Sequence, residues 1–496
     1  MLNIKMPDTR SKLYLFTTFG LVYLIAVIFS NGYYHPDEHY QLIEFAGLKL
    51  DWNSAADLTW EFDRKIRPTL QPFIAVAIFK SLGFLGIKDA FILSGALRFF
   101  SACFSFLSIY LFTNTFKGEV KEKFRIWFYI LSFCLWFLPS VNVRFSSETW
   151  CGNCLIIAIV LIRRIHTHRQ NPLWIGIFLG LAFEFRFQST FATIGLLAWL
   201  ILISKIESGK LLWIITGGIL ILSLGIALDS CYYGQVVITP YEYFKANLMD
   251  GIASNYGTSP WHNYIHLIIV APTAIIGSGI LFSLVWSVIY LPKHIIVWAV
   301  FPFILLHTLI PHKELRFLFP IINLVPLLIT LMIQYVDDLT VKIKDLKLPF
   351  RLLLYISLAT NMLGLISLIF KPAGNGSANM IRYIDRKYKQ VDSVSVYCLP
   401  ENNPYVIGSA RGLKAKFYLS DNIILKDINW RNLKHPKSNA VYLMPLSNIV
   451  EGRILEKNGF RKEYIGLPEW IIFLNHFYGT FDGQSVPALY TKQTKN

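Results

Sequence analysis

Leu211–Leu228 reads LLWIITGGILILSLGIAL, eighteen residues without one charged side chain. A run of about 20 apolar residues matches the hydrocarbon core of a bilayer. A globular domain would need a polar face on such a helix, and this run has none. Ile265–Tyr290 repeats the pattern. The rest of the chain agrees: of 496 residues, 54% are hydrophobic and only 16% charged, against about 25% charged in soluble domains. The chain therefore reads as a multi-pass α-helical membrane protein. Leu13–Ser30 resembles a signal peptide but lacks a clear small-residue cleavage site, and it leads directly into a polar motif. It is read as a retained first helix.

The net charge is +16 and the pI about 9.4. Basic loops on the cytoplasmic side and attraction to anionic membrane lipids account for part of this; an anionic substrate is the other reading. The basic residues form no stripe, which argues against nucleic acid as a partner. Six cysteines show no disulfide framework. Cys151 and Cys154 lie in an apolar run and are read as small packing residues, because zinc needs further ligands close by.

Lysine and arginine positions orient the chain. Lys5, Arg10 and Lys12 precede the first span and place the N-terminus in the cytoplasm. Treating the short stretch 72–85 as interfacial or re-entrant puts Lys117, Lys121, Lys123 and Arg125 inside. Arg163, Arg164, Arg169, Lys205, Lys210, Lys293 and the run Lys342–Lys347 then follow them. About eleven transmembrane helices result, ending near residue 370. The segment 371–496 alternates short apolar stretches (Ser393–Leu399, Ala440–Met444 and Trp470–Leu474, read as strands) with turns and helical stretches. It is predicted to be a small α/β soluble domain on the non-cytoplasmic side, following a catalytic membrane domain over 1–370 whose outer loop is 31–70.

Two motifs stand out on that outer side. His35-Pro36-Asp37-Glu38 follows the first span. Pro36 ends any helix continuing from the membrane, and a partly desolvated carboxylate at a membrane edge suits a general base. Asp37 also suits the N-cap of a helix over Glu38–Leu48. His35 and His39 give only a weak metal signal, and no metal or other cofactor is expected. His312-Lys313-Glu314-Leu315-Arg316 sits between two apolar spans. Three basic groups so close together are costly near lipid unless they face a cavity or an anion such as phosphate. Snorkelling at the interface is the plainer account, with Glu314 pairing to Arg316 or Arg144. Arg67 and Arg186 are open between ion pair and ligand contact. Trp261 and His262 are open between an aromatic belt and sugar or phosphate contact. If the two motifs border one opening, an acid/base site lies beside an anion site, as group transfer from a phosphate requires.

Taken in order, the motifs resemble the lipid-phosphate-mannose-dependent mannosyltransferases, which have the GT-C architecture. The resemblance rests on His35-Pro36-Asp37-Glu38 with Gln41, Leu58-Thr59-Trp60-Glu61 with Ile66-Arg67, and Gly180-Leu181-Ala182-Phe183 with Arg186. It continues through Asp229 with Tyr233-Gly234, Thr239-Pro240, Phe244, Asn247, Tyr256-Gly257-Thr258-Ser259-Pro260-Trp261-His262, and His312-Lys313-Glu314-Leu315-Arg316-Phe317. The Pro-Cys-His segment common in family tails is only echoed, by Cys398-Leu399-Pro400 and Asn403-Pro404-Tyr405, so nothing is carried onto the tail.

The resemblance implies inverting transfer of mannose from a polyprenyl- or dolichyl-phosphate donor to a glycan or glycolipid acceptor. By that analogy Asp37 is the base, and Glu38 orients it or positions the acceptor. His312, Lys313 and Arg316 would hold the leaving phosphate, helped by His262 and Arg67. His35, Gln41, Trp60, Glu61, Arg186 and Trp261 would line the substrate sites. The same scaffold with another lipid-linked sugar is a rival reading, and a lipid-linked sugar transporter is a second. The membrane would be the bacterial plasma (inner) membrane or that of the endoplasmic reticulum, with the site on the non-cytoplasmic face.

Overall fold

A computed structural model describes residues 9–165, 171–343, 345, 347–399, 403–406, 415–479 and 485–492. Lys5, Arg169, Lys344 and Pro400, invoked above, lie outside these. The chain divides into two compact units. One comprises Met1–Ala26, Arg64–Gln71 and Arg98–Ile369; the other comprises Val27–Asp63, Pro72–Leu97 and Phe370–Asn496.

The first unit is helical. Among the described residues, five helices are long and apolar enough to cross a bilayer: Lys12–Phe29, Ala90–Phe116, Ser208–Tyr233, Leu315–Lys342 and Lys347–Ile369. The sharply bent pair Ala274–Tyr290 and Ile295–Leu309 makes a sixth if it is one span. The expected membrane architecture holds, but the count of eleven is not supported. Several expected spans are helices of only 13 residues, such as Glu122–Cys134, Leu173–Phe185 and Thr190–Leu202. At 1.5 Å per residue each covers about 20 Å, short of the ~30 Å hydrocarbon core.

Lipid offers helices no hydrophobic drive to associate, so small residues and polar bonds do that work. A Cβ on Gly176 would lie 1.8 Å from the Ile214 carbonyl oxygen, and one on Gly217 would lie 2.3 Å from that of Leu173. Helices Leu173–Phe185 and Ser208–Tyr233 touch backbone to backbone there. Elsewhere Asn142 and Asn323 exchange amide hydrogen bonds at 3.0 and 2.8 Å, and Asn142 also donates to the Tyr23 hydroxyl at 3.0 Å. Cys151 and Cys154 are buried free thiols in helix Ser147–Arg164.

Charges in this unit are sorted by end. Lys121 pairs with Asp338 and Lys123 with Asp337, both at 2.5 Å. Glu119 takes Arg163 at 3.0 Å and His294 at 2.8 Å. Burial alone would raise the Glu119 carboxyl, but these two partners hold it below its ordinary value. Helix Ser147–Arg164 separates Glu148 from Arg163 by about 22 Å at 1.5 Å per residue. The basic loops thus gather at one end, and the residues around Glu148 lie at the other.

The second unit contains a five-stranded sheet. Its strands are β1 (Val394–Cys398), β2 (Ile423–Asp427), β3 (Ala440–Pro445), β4 (Phe460–Ile465) and β5 (Pro487–Lys492). Their spatial order is β2-β1-β3-β5-β4; β1 runs parallel to β2 and β3, while β5 runs antiparallel to β3 and β4. The core packs Tyr397 against Tyr442 at 5.2 Å, with Leu455, Phe460 and Ala488 around them. The apolar stretch Trp470–Leu474 is not a strand. It lies inside helix Glu469–Tyr478, with Pro468 at its N-cap and Glu469 in the first turn. Its apolar residues follow the helical period, and five of them were too few to separate the two readings.

Candidate active site

The acid motif belongs to the second unit. Pro36 stands at the start of a helical turn Pro36–Glu38, as its fixed φ favours. The chain continues through a π-helical segment His39–Glu44 into Phe45–Leu48. The N-cap is His35, whose Nδ1 accepts from the Asp37 amide at 3.2 Å. Asp37 is therefore not the cap that one reading expected. It stands inside the first turn with its side chain one-quarter exposed, and Oδ1 lies 3.5 Å from His35 Nδ1. That nitrogen already serves the amide, so it cannot also donate to the carboxylate. Glu38 is buried and accepts from the Tyr34 amide at 3.2 Å.

Behind the turn lies Glu44, an acid that the sequence did not single out. Glu44 accepts from His39 Nε2 at 2.7 Å, Asn53 Nδ2 at 2.9 Å and the Phe417 amide at 3.1 Å. His39 and Glu44 are each only 1% exposed, so His39 is a buried hydrogen-bond partner of Glu44. Its ring stacks on Tyr418 at 5.3 Å and 17°. Gln41 donates to Glu61 at 3.1 Å, both buried, and Trp60 opens the same short helix Trp60–Asp63. Upstream, Asn31 accepts from the Ala373 amide at 2.8 Å. The acid turn is thus held on both flanks by segments some 340 to 380 residues further along the chain. No periodicity announces such contacts.

The basic motif belongs to the first unit, and Glu148 is its hub. Glu148 Oε1 lies 2.8 Å from Arg186 Nη1 and 3.3 Å from Arg316 Nη1. Both guanidiniums also lie over the Phe317 ring, at 4.9 and 5.3 Å. Glu314 takes Arg316 in bidentate fashion, at 2.5 Å from Nε and 3.3 Å from Nη2, and takes His312 Nε2 at 2.7 Å. Arg316 is thus a partner of Glu314, as one reading expected. His312 Nδ1 faces the Gly257 carbonyl at 3.0 Å, so both ring nitrogens meet acceptors. Lys313 donates to the carbonyls of Ser259 at 3.0 Å and Ile310 at 2.7 Å. Arg186 Nε is buried without an acceptor among the described residues.

The loop Tyr256–His262 enters this cluster through its backbone. The Trp261 side chain is exposed and lies against the His262 ring at 5.6 Å. Arg67 lies over Tyr243 at 5.9 Å, and Tyr243 in turn packs on Phe187, next to Arg186. The structure therefore joins His312, Lys313, Arg316 and Arg186 directly and brings Arg67 near them through Tyr243. Glu148 was not singled out. It carried only the signature of an acid in a first helical turn, after the cap Ser146. Among the described residues, no group of three or more His, Cys, Asp or Glu side chains has the spacing to hold a metal ion.

Residues 14–391 match the model of the Alg9-like mannosyltransferase family. The chain belongs to this family. Relatives of this mannosyltransferase family include GPI mannosyltransferase 3 of Drosophila melanogaster, 28% identical over 328 residues that cover 64% of this chain and 56% of that protein. GPI alpha-1,2-mannosyltransferase 3 of Bos taurus is 25% identical over 296 residues, covering 58% of this chain and 52% of the relative. The chain thus spans little more than half the length of these relatives. Among solved structures, apo ArnT from Cupriavidus metallidurans superposes with a TM-score of 0.50 at 10% identity, over 97% of this chain and 98% of that one. That likeness concerns the fold alone. It agrees with the GT-C architecture that the motifs implied for this family member.

Proposed function

We propose that the chain is an inverting mannosyltransferase using a polyprenyl- or dolichyl-phosphate mannose donor. Its acceptor is a glycan or glycolipid, and its site faces the non-cytoplasmic side of the membrane. The observation that carries the reading is membership of a mannosyltransferase family over residues 14–391, a range that includes both the acid and the basic motif. The relatives' names supply the sugar and point to a glycolipid as acceptor.

In the reaction, the acceptor hydroxyl oxygen bonds to C1 of mannose while the bond from C1 to the phosphate oxygen breaks. The hydroxyl proton passes to Asp37, and Glu38 orients that carboxylate or the acceptor. The electron pair leaves with the lipid phosphate, which needs no proton near neutral pH. His312, Lys313 and Arg316 take up its charge, with Arg67 and His262 at the edge of the site. Preorganised cations of this kind stabilise a leaving anion as it forms. The Nε–H of Arg186, without an acceptor among the described residues, and the mixture of acids and bases around it suit a site that receives a further anion. Gln41, Glu61, Trp60, His35 and Trp261 are assigned to the sugars. Residues 371–496 form the extracytoplasmic domain that follows catalytic residues 1–370.

The test is transfer of labelled sugar by the purified chain from a panel of lipid-phosphate-linked sugars. Transfer from the mannose donor with formation of an α-linkage is the expected result. Transfer only from another sugar donor would overturn the mannose assignment. Movement of lipid-linked sugar across vesicles with no new glycosidic bond would overturn the transferase itself.

A further inference from the structure

The second unit carries an aromatic face that is largely exposed among the described residues. Helix Glu469–Tyr478 turns Ile471 inward at 1% exposure, yet Trp470, Phe473 and Phe477 are 44%, 62% and 69% exposed. Their spacing of three and four residues puts them on one stripe. Phe473 packs on Phe477 at 5.8 Å, so the stripe is continuous. Isolated exposed apolar residues are ordinary, but three large aromatics on one helical face mark a contact surface.

What lies at the end of this stripe identifies its partner. Trp470 meets Phe370 at 6.4 Å, and Phe370 meets Phe29 at 5.1 Å. Phe29 is the last residue of one apolar helix long enough to span a bilayer, and Phe370 directly follows another, Lys347–Ile369. Phe29 and Phe370, at the ends of these two spans, therefore lie side by side, and Trp470 stands against Phe370. Tryptophan and phenylalanine at such a boundary match the interfacial zone of a bilayer, where aromatic rings sit among headgroups and upper acyl chains.

We propose that helix Glu469–Tyr478 lies in the membrane interface with Trp470, Phe473 and Phe477 in lipid. The sheet domain is then a bilayer-seated module, not a freely soluble tail. Asp37 lies only eight positions after Phe29. At ~3.3–3.6 Å per extended residue, the chain cannot carry that carboxylate more than about 30 Å from the end of that span. Seating the domain keeps the acid turn within that reach of the interface. The inference rests on packing alone and is independent of the proposed reaction.

The test places p-benzoylphenylalanine at Phe473 or, separately, at Phe477 in the full chain. Both positions are exposed, so folding should survive. The protein is reconstituted in phosphatidylcholine nanodiscs, irradiated and analysed by mass spectrometry. Lipid adducts at both positions are expected. Cross-links to a second copy of the chain would overturn the proposal in favour of self-association. Absence of any adduct at both positions, with the probe intact, would overturn it in favour of a water-exposed face.

Discussion

The acid turn and the basic cluster are built in opposite ways. Asp37 and Glu38 sit in one helical turn whose cap, His35, is two residues away, and its local bonds are made within Tyr34–Glu38. The cations instead arrive from separate stretches. Arg186, Glu148, the carbonyls of Gly257 and Ser259, and His312–Arg316 meet only because several helices pack together. A local turn can present a carboxylate with part of its surface open. A cluster of guanidiniums cannot stand alone in a low-dielectric setting, so acids from elsewhere must balance it.

The largest contrast should appear on removing one acid from each region. Asp37→Asn is expected to reduce transfer by ~10²–10⁴-fold, the usual contribution of a general base. Thermal stability should barely move, because His35 rather than Asp37 caps the turn. Unchanged turnover would remove the assignment of Asp37 as base. Glu148→Gln should do the reverse in kind. It removes the carboxylate that Arg186 pairs with in a buried setting, while Arg316 keeps Glu314, and should cost about 3–5 kcal/mol, read as a lower unfolding temperature in detergent.

A smaller effect concerns the junction beyond the last span. Burial holds the Lys371 ammonium far below its ordinary 10.5, at about 7. The folded state therefore binds this proton less tightly than the unfolded chain. The penalty is complete below pH 7 and fades as pH rises from about 7 to 10.5, so stability should increase across that window. The slope is at most about 1.4 kcal/mol per pH unit. Lys371→Met should flatten it, as measured by unfolding at a series of pH values. A slope unchanged in the variant would assign the effect to another group.

The smallest effect should come from a pair that belongs to neither region. Glu207 and Lys210 form an i,i+3 pair at 2.9 Å, with Glu207 fully in the open. Lys210→Ala should change stability by less than about 0.5 kcal/mol. A loss comparable to that of Glu148→Gln would mean that exposed charge matters as much as buried charge in this fold.

Membrane class, the family and the two motifs were legible in the linear chain for a physical reason. Leu211–Leu228 has no reading in water, and Pro36 with two acids after it constrains the backbone within a few residues. The strands β1 and β3 were also visible, as short apolar runs between turn residues. Local pattern could not reveal whether Trp470–Leu474 was strand or helix, because five apolar residues satisfy either period. Nor could it show how many spans are long enough to cross. It could not nominate Glu148 as the hub of Arg186 and Arg316, Glu44 as the partner of His39, or Tyr418 as the ring beneath it. Those roles depend on which distant segments are brought into contact, and that is set by helix packing and by the return of the C-terminal segment to the stretch after the first helix. Hydrophobic length and backbone chemistry are written residue by residue, whereas the neutralisation of a buried charge is settled only when the neighbour that supplies it has been folded into place.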